Sequence, residues 1–86
     1  MAETTDNEET VSRDEAADLV QAVAQELRGN GPAEIQVGNK VLTLSPARDL
    51  EYEIEVEERS PMLGGPHEEI TMTLEWEVEK EPEPDS

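Results

Sequence analysis

Apolar and polar residues alternate almost without a break in two segments of the chain, residues 50–58 and 70–79. Successive side chains of a strand point to opposite faces, so this alternation predicts two strands with one apolar face each. The remaining positions are mostly glutamate, which predicts a second face that is acidic and solvated. The predicted apolar face consists of Leu50, Tyr52, Ile54, Val56, Ile70, Met72, Leu74, Trp76 and Val78.

A different period, typical of a helix, follows Ser12. This serine is a favourable N-cap, and Glu15 three residues later completes the sequence signature of a capping box. Arg28 and Gly29 are typical of a helix C-terminus. The apolar residues between these signals recur at helical spacing and predict one apolar stripe, made of Ala16, Leu19, Val20, Val23 and Leu27.

A short hairpin is predicted after the helix. Residues 33–37 (AEIQV) and 41–44 (VLTL) resemble strands, and Gly38-Asn39 between them suits a tight hairpin turn. Pro46 ends the second strand because proline cannot donate a hydrogen bond to a ladder.

Together these elements predict an α+β domain. One helix would pack on one face of a small three- to four-stranded antiparallel sheet, with the other face acidic and solvated. We expect residues 1–10 to form a disordered acidic tail, residues 11–79 the domain, and residues 80–86 a disordered tail rich in proline and glutamate. Roughly eighteen inward-facing apolar residues make a modest core, so a monomer of marginal stability or a homodimer is expected.

Charge adds information about the environment. The chain has 23 acidic against 6 basic residues, a net charge of −17. Such a balance occurs in disordered chains, in proteins that bind basic partners, and in proteins that live in concentrated salt. The alternating strands argue against disorder in the middle of the chain. Because the Debye length falls to about 3 Å at 1 M salt, the composition favours a haloarchaeal protein whose carboxylates are screened.

Other classes of protein are disfavoured by what the chain lacks. It has no cysteine, hence no disulfide or thiolate chemistry. It has no apolar run of about 20 residues that would cross a membrane, and its acidic N-terminus is unlike a secretory signal. Without a basic patch, direct nucleic-acid binding is not expected. We therefore expect a cytoplasmic protein.

Four residues are candidates for contacts or chemistry. Trp76 is the only tryptophan, and its phase with the predicted strand favours a core anchor over a ligand-stacking role. His67 is the only histidine, and a solvated loop position is favoured over a metal site because the adjacent glutamates would diverge from it. Met62 and Leu63 lie in a predicted loop, where they either fold back onto the sheet or form a small contact point.

Five segments follow one another in an order that is more specific than any of them alone. They are residues 12–17 (SRDEAA) with Leu19 and Leu27 after them, residues 35–38 (IQVG), 41–46 (VLTLSP), 50–57 (LEYEIEVE) and 74–76 (LEW). In this order they resemble the amphi-Trp domain family, small proteins of haloarchaea and bacteria, over about residues 8–80. The resemblance implies a fold and a lineage, and it implies no activity.

The residues therefore favour a non-enzymatic protein-interaction or accessory module, without cofactor or metal. It would self-associate or bind a protein partner through a sheet edge or through Met62 and Leu63, with Trp76 as a further contact residue. The alternative is an acidic decoy, whose glutamates imitate phosphates and bind a basic nucleic-acid-binding protein.

Overall fold

A computed structural model of the protein describes residues 2–60 and 64–78. It contains one helix, α1 (Arg13–Arg28), and four strands: β1 (Ala33–Val37), β2 (Lys40–Leu44), β3 (Glu51–Arg59) and β4 (His67–Glu75). The predicted α+β class is confirmed. The strands pair as two antiparallel two-stranded sheets, β1 with β2 and β3 with β4, whereas a single sheet of three to four strands was expected.

The division into two hairpins follows the chain's division into two compact units, Met1–Pro46 and Ala47–Ser86. Alternation specifies which side chains of a strand share a face, but it carries no information about which strands become neighbours. Pro46, which has no amide hydrogen, lies just after β2 and marks the boundary between the units. The single-sheet prediction was wrong because the pattern left the pairing of β2 open.

Helix α1 begins as its sequence predicts. The Ser12 side-chain Oγ accepts a hydrogen bond from the backbone N–H of Glu15 at 3.1 Å, and the Ser12 carbonyl accepts one from Ala16 at 2.9 Å. Asp14 and Glu15 in the first turn and Arg28 in the last complement the helix dipole. The predicted N-cap and helix end are therefore confirmed.

The first unit packs where the C-terminal turns of α1 meet β1. The Glu26 carboxylate accepts a hydrogen bond from the backbone N–H of Glu34 at 2.9 Å, which ties the helix to the start of the strand. Ala33 is fully buried there, and it is the one buried residue in the described part of the chain. Val23 and Leu27 are half-buried, whereas Leu19 on the same stripe is exposed. The core in the described residues is thus much smaller than the sequence predicts.

The β1–β2 hairpin is confirmed, with β2 beginning one residue earlier than predicted. Val37 pairs with Lys40, so Gly38 and Asn39 form a two-residue turn, and Gly38 has the positive φ of 64° that primed hairpin turns require. The Asn7 side chain lies against this turn: a Cβ on Gly38 would stand 2.8 Å from Asn7 Oδ1. Residues 2–10 contain no helix or strand, and their predicted disorder stays a prediction.

The second hairpin differs from the sequence pattern at its ends. β4 was expected over residues 70–79 but runs from His67 to Glu75, so Trp76 and Val78 follow the strand and residue 79 lies outside the described part. The physical reason is the register: Glu75 pairs with Glu51, the first residue of β3, and a strand ends where its ladder partner ends.

Replacing Ser12 by alanine removes the hydrogen-bond acceptor at the start of α1. We expect the free energy of unfolding to fall by about 1 kcal/mol, or the melting temperature by about 4–8 °C. Circular dichroism at 222 nm during heating measures this change. Ser45→Ala, outside any helix, is the matched control, and equal melting of the two variants would contradict the cap.

Replacing Gly38 by alanine forces a side chain into the left-handed region and against Asn7. We expect a loss of about 1–2 kcal/mol in the free energy of unfolding, measured by chemical denaturation. Gly31→Ala is the control, since its Cβ would meet nothing within 4 Å and its φ is not positive. Adding Asn7→Ala to Gly38→Ala removes the contact but keeps the backbone strain, so it should restore only part of the loss.

Candidate functional site

The register of β3 and β4 brings six apolar side chains together on one side of the hairpin. Three cross-strand pairs on the same side form this surface, hereafter the apolar face: Tyr52 with Leu74, Ile54 with Met72, and Val56 with Ile70. Directly opposed residues have side chains close enough to pack against each other. The predicted grouping of these six residues on one face is therefore confirmed.

The second unit, taken by itself, does not bury its apolar face in a core. Its side chains Tyr52, Ile54, Val56, Ile70 and Met72 are 48–69% exposed, and only Leu74 is half-buried. Single exposed apolar residues are common, whereas a contiguous exposed apolar patch makes this face the candidate contact surface of the second unit.

The other side of the hairpin, hereafter the glutamate side, is unusual in its pairing. Glu51 stands opposite Glu75 and Glu57 opposite Glu69, so two pairs on this side set like charges against each other. Between them, glutamates of β3 face Thr71 and Thr73 of β4.

One cation partly offsets this charge. Arg59 Nη1 lies 3.7 Å from Glu57 Oε1, and Nη2 lies 3.6 Å from Glu69 Oε1. All three side chains are about half exposed, so these ion pairs are worth little in water.

Trp76 lies just after β4 and is half-buried, so it is not the in-phase strand residue that the pattern predicts. It lines a shallow depression of about 460 Å³ in the second unit. The other lining residues are Asp49, Leu50, Glu51, Glu75 and Glu77. Its role as a contact residue stays a prediction, and Met62 and Leu63 lie outside the described residues.

His67 is the first residue of β4, opposite Arg59, and is exposed. It was expected in a loop; the ladder extends further toward the turn because Glu58 and Arg59 of β3 find partners there. In residues 2–60 and 64–78 no three His, Asp or Glu side chains are placed to hold a metal ion together. No helix in that part of the chain is long and apolar enough to cross a membrane.

Comparison with known families identifies the family of the chain. The family model described as the Amphi-Trp domain matches residues 1–86, the whole chain. The protein belongs to the Amphi-Trp domain family. No curated protein and no solved structure matches it. The function of this Amphi-Trp domain is therefore inferred from its own residues.

Sequence reasoning assigned the apolar face of this Amphi-Trp domain to the core and looked for contacts elsewhere. One signal could have corrected it. The 16 residues of α1 span about 24 Å, and two hairpins with an apolar face each present more surface than one such helix covers. Counting apolar faces against available covering elements therefore makes the β3–β4 hairpin a candidate site.

The like-charge pair Glu51–Glu75 should respond to salt. Glu75→Thr turns it into the glutamate–threonine pairing already present at Glu53–Thr73. We expect the variant to gain about 0.5 kcal/mol in the free energy of unfolding at about 0.1 M salt, and little at about 1 M. The reverse change, Thr73→Glu, should lower stability under the same conditions, and an effect of either substitution that is independent of salt would contradict an electrostatic cause.

Proposed function

We propose that this Amphi-Trp domain is a non-enzymatic protein-interaction module whose contact surface is the apolar face. The observation that carries the proposal is the exposure of 48–69% for five of its six side chains. Burying a fully exposed side chain of this kind against a partner gains about 1.5–3 kcal/mol, so even half that area is a sizeable driving force.

Two depressions in the described part of the second unit favour a binding role over a catalytic one. Catalysis needs convergent groups with separated acidities in a site sheltered from water. The depression beside Trp76 is shallow and is lined chiefly by carboxylates. A second depression is lined by Ala47, Arg48, Asp49 and Glu77. Neither set contains a serine, threonine, cysteine or lysine that a neighbouring base could activate for covalent catalysis.

The setting we propose is the cytoplasm of a haloarchaeal cell with concentrated internal salt. Support comes from the net charge of −17 and from the like-charge pairs of the hairpin. In concentrated salt the repulsion within the glutamate side is screened while apolar contacts are retained.

A second candidate function uses the glutamate side. Its paired carboxylates Glu51–Glu75 and Glu57–Glu69 would be relieved by a basic surface placed over them. In that case the domain is an acidic decoy for a basic nucleic-acid-binding protein. Such binding weakens as salt is raised, the opposite of binding through the apolar face.

Affinity capture with two matched variants separates the two functions. The tagged full chain, Val56→Thr/Ile70→Thr on the apolar face, and Glu53→Thr/Glu55→Thr on the glutamate side are each incubated with lysate of the source cells in about 0.1 M and about 1 M KCl. Threonine keeps strand propensity in both variants. We expect a stoichiometric partner, identified by mass spectrometry, that is retained at the higher salt and lost only by the apolar-face variant.

Other outcomes of the capture have different meanings. Basic proteins that are recovered only at low salt and are lost by the glutamate-side variant would favour the decoy. Retention of the same partner by all three proteins would show that neither surface is the contact site.

A further inference from the structure

We propose that the apolar face binds the apolar face of a second copy of the chain, so that two β3–β4 hairpins stack face to face as a two-fold symmetric dimer. This inference rests on the proposed function, because it names the partner of the same surface. The resulting interface would be a small β-sandwich with the glutamate sides facing outward.

The β3–β4 hairpin leaves most of its apolar surface exposed when the second unit is described by itself. Within the described residues of the second unit, β3 and β4 are the only regular elements, and every residue of β3 is exposed. An isolated two-stranded hairpin is marginally stable in water. A second hairpin laid on the apolar face would bury part of this exposed surface, and another copy of the chain supplies a surface of the same apolar chemistry.

The arrangement of side chains on the apolar face suits a two-fold contact. Its middle pair, Ile54 and Met72, is flanked on one side by Tyr52 with Leu74 and on the other by Val56 with Ile70. The first of these pairs is the larger in total volume because tyrosine is much larger than valine, while leucine and isoleucine are equal in size. A two-fold axis through the middle pair, perpendicular to the strands, sets each larger pair over the β-branched pair of the other copy. Such an isologous contact is self-complementary in volume.

The apolar face is large enough for a small interface. Its exposed side chains present an accessible surface on the order of 500 Å² per copy, so two copies together would bury about 1,000 Å². This total lies just below the usual range of specific interfaces, which starts near about 1,200 Å². A weak and reversible dimer is therefore expected.

The distribution of charge on the hairpin also favours a second copy over a basic partner. The apolar face carries no charge over its three pairs, and the next pair on the same side is Glu58 with Glu68 at one end. A basic partner would find its counter-charges on the glutamate side, whereas the apolar face suits an equally apolar surface. Because each copy has a net charge of −17, the dimer should strengthen as salt is raised.

Thiol crosslinking tests the geometry, since the chain contains no cysteine. In Met72→Cys the two-fold axis places the two thiols opposite each other across sheets about 10 Å apart, within reach of a short bis-maleimide. We expect crosslinked dimer from Met72→Cys in about 1 M KCl and much less in about 0.1 M. Thr73→Cys, the neighbouring position on the glutamate side, is the matched control and should stay monomeric.

A further cysteine variant checks the orientation of the two copies. Ile70→Cys should crosslink poorly by itself, because the axis carries Ile70 onto Leu74, about 13 Å further along the strand. Mixing Ile70→Cys with Leu74→Cys should restore the crosslink. Efficient crosslinking of Ile70→Cys alone would overturn the proposed axis.

Sedimentation of cysteine-free protein gives an independent measurement. We expect the mass of the full chain to rise toward twice 9.6 kDa in about 1 M KCl. Val56→Thr/Ile70→Thr should raise the dissociation constant roughly tenfold or more. Val41→Thr is the matched control: Val41 on β2 is 58% exposed against 63% for Val56, but it lies outside the apolar face, so dimerisation should be unchanged.

The outcomes separate failure of the dimer from failure of the proposed function. If Met72→Cys is a monomer at every salt concentration and its thiol reacts rapidly with a monofunctional maleimide, the dimer is overturned and the apolar face stays open as a contact surface for another protein. If the variant is a monomer whose thiol reacts only on unfolding, both are overturned, because the face would then be covered within the chain. A dimer that persists in Val56→Thr/Ile70→Thr, or that crosslinks through Thr73→Cys, places the interface elsewhere and overturns the inference.

Discussion

The antiparallel ladder between β3 and β4 is the constraint on which the functional argument depends. Nine consecutive pairs, from Glu51–Glu75 to Arg59–His67, hold two alternating strands in one register. A shift of one residue would set Ile54 beside a threonine and would mix apolar with acidic positions on both sides. The separation of the hairpin into an apolar face and a glutamate side is therefore a property of the register as much as of the composition.

The two sides of the hairpin interact with the solvent in different ways. The glutamate side sets like charges directly opposite each other, with Arg59 as the cation between Glu57 and Glu69. The apolar face gains from leaving water. Concentrated salt relieves the repulsion between the glutamates because it screens surface charge, and it leaves the gain from apolar burial in place. Both surfaces of one hairpin are thus compatible with concentrated salt.

The first unit is organised differently, around local interactions with short sequence separation. Ser12 caps α1, Glu26 connects the helix to β1, and Gly38 makes the turn into β2. Each of these contacts joins residues that are at most eight positions from each other in the sequence. The approach of Asn7 to Gly38 is the longer-range exception. Local signals of this kind are the ones a sequence states most directly, because they depend on the backbone of neighbouring residues and little on packing.

The sequence by itself therefore determined the family, the α+β class, the limits of α1, the turn at Gly38-Asn39 and the set of side chains that share the apolar face. Capping, turn geometry and strand periodicity all depend on residues within a few positions of each other, so they can be predicted directly from the sequence. Tertiary structure decided that four strands pair as two hairpins, that β4 ends before Trp76, and that the apolar face is exposed. These features depend on which distant segments meet, and an alternating pattern looks the same whether its apolar face is covered or open.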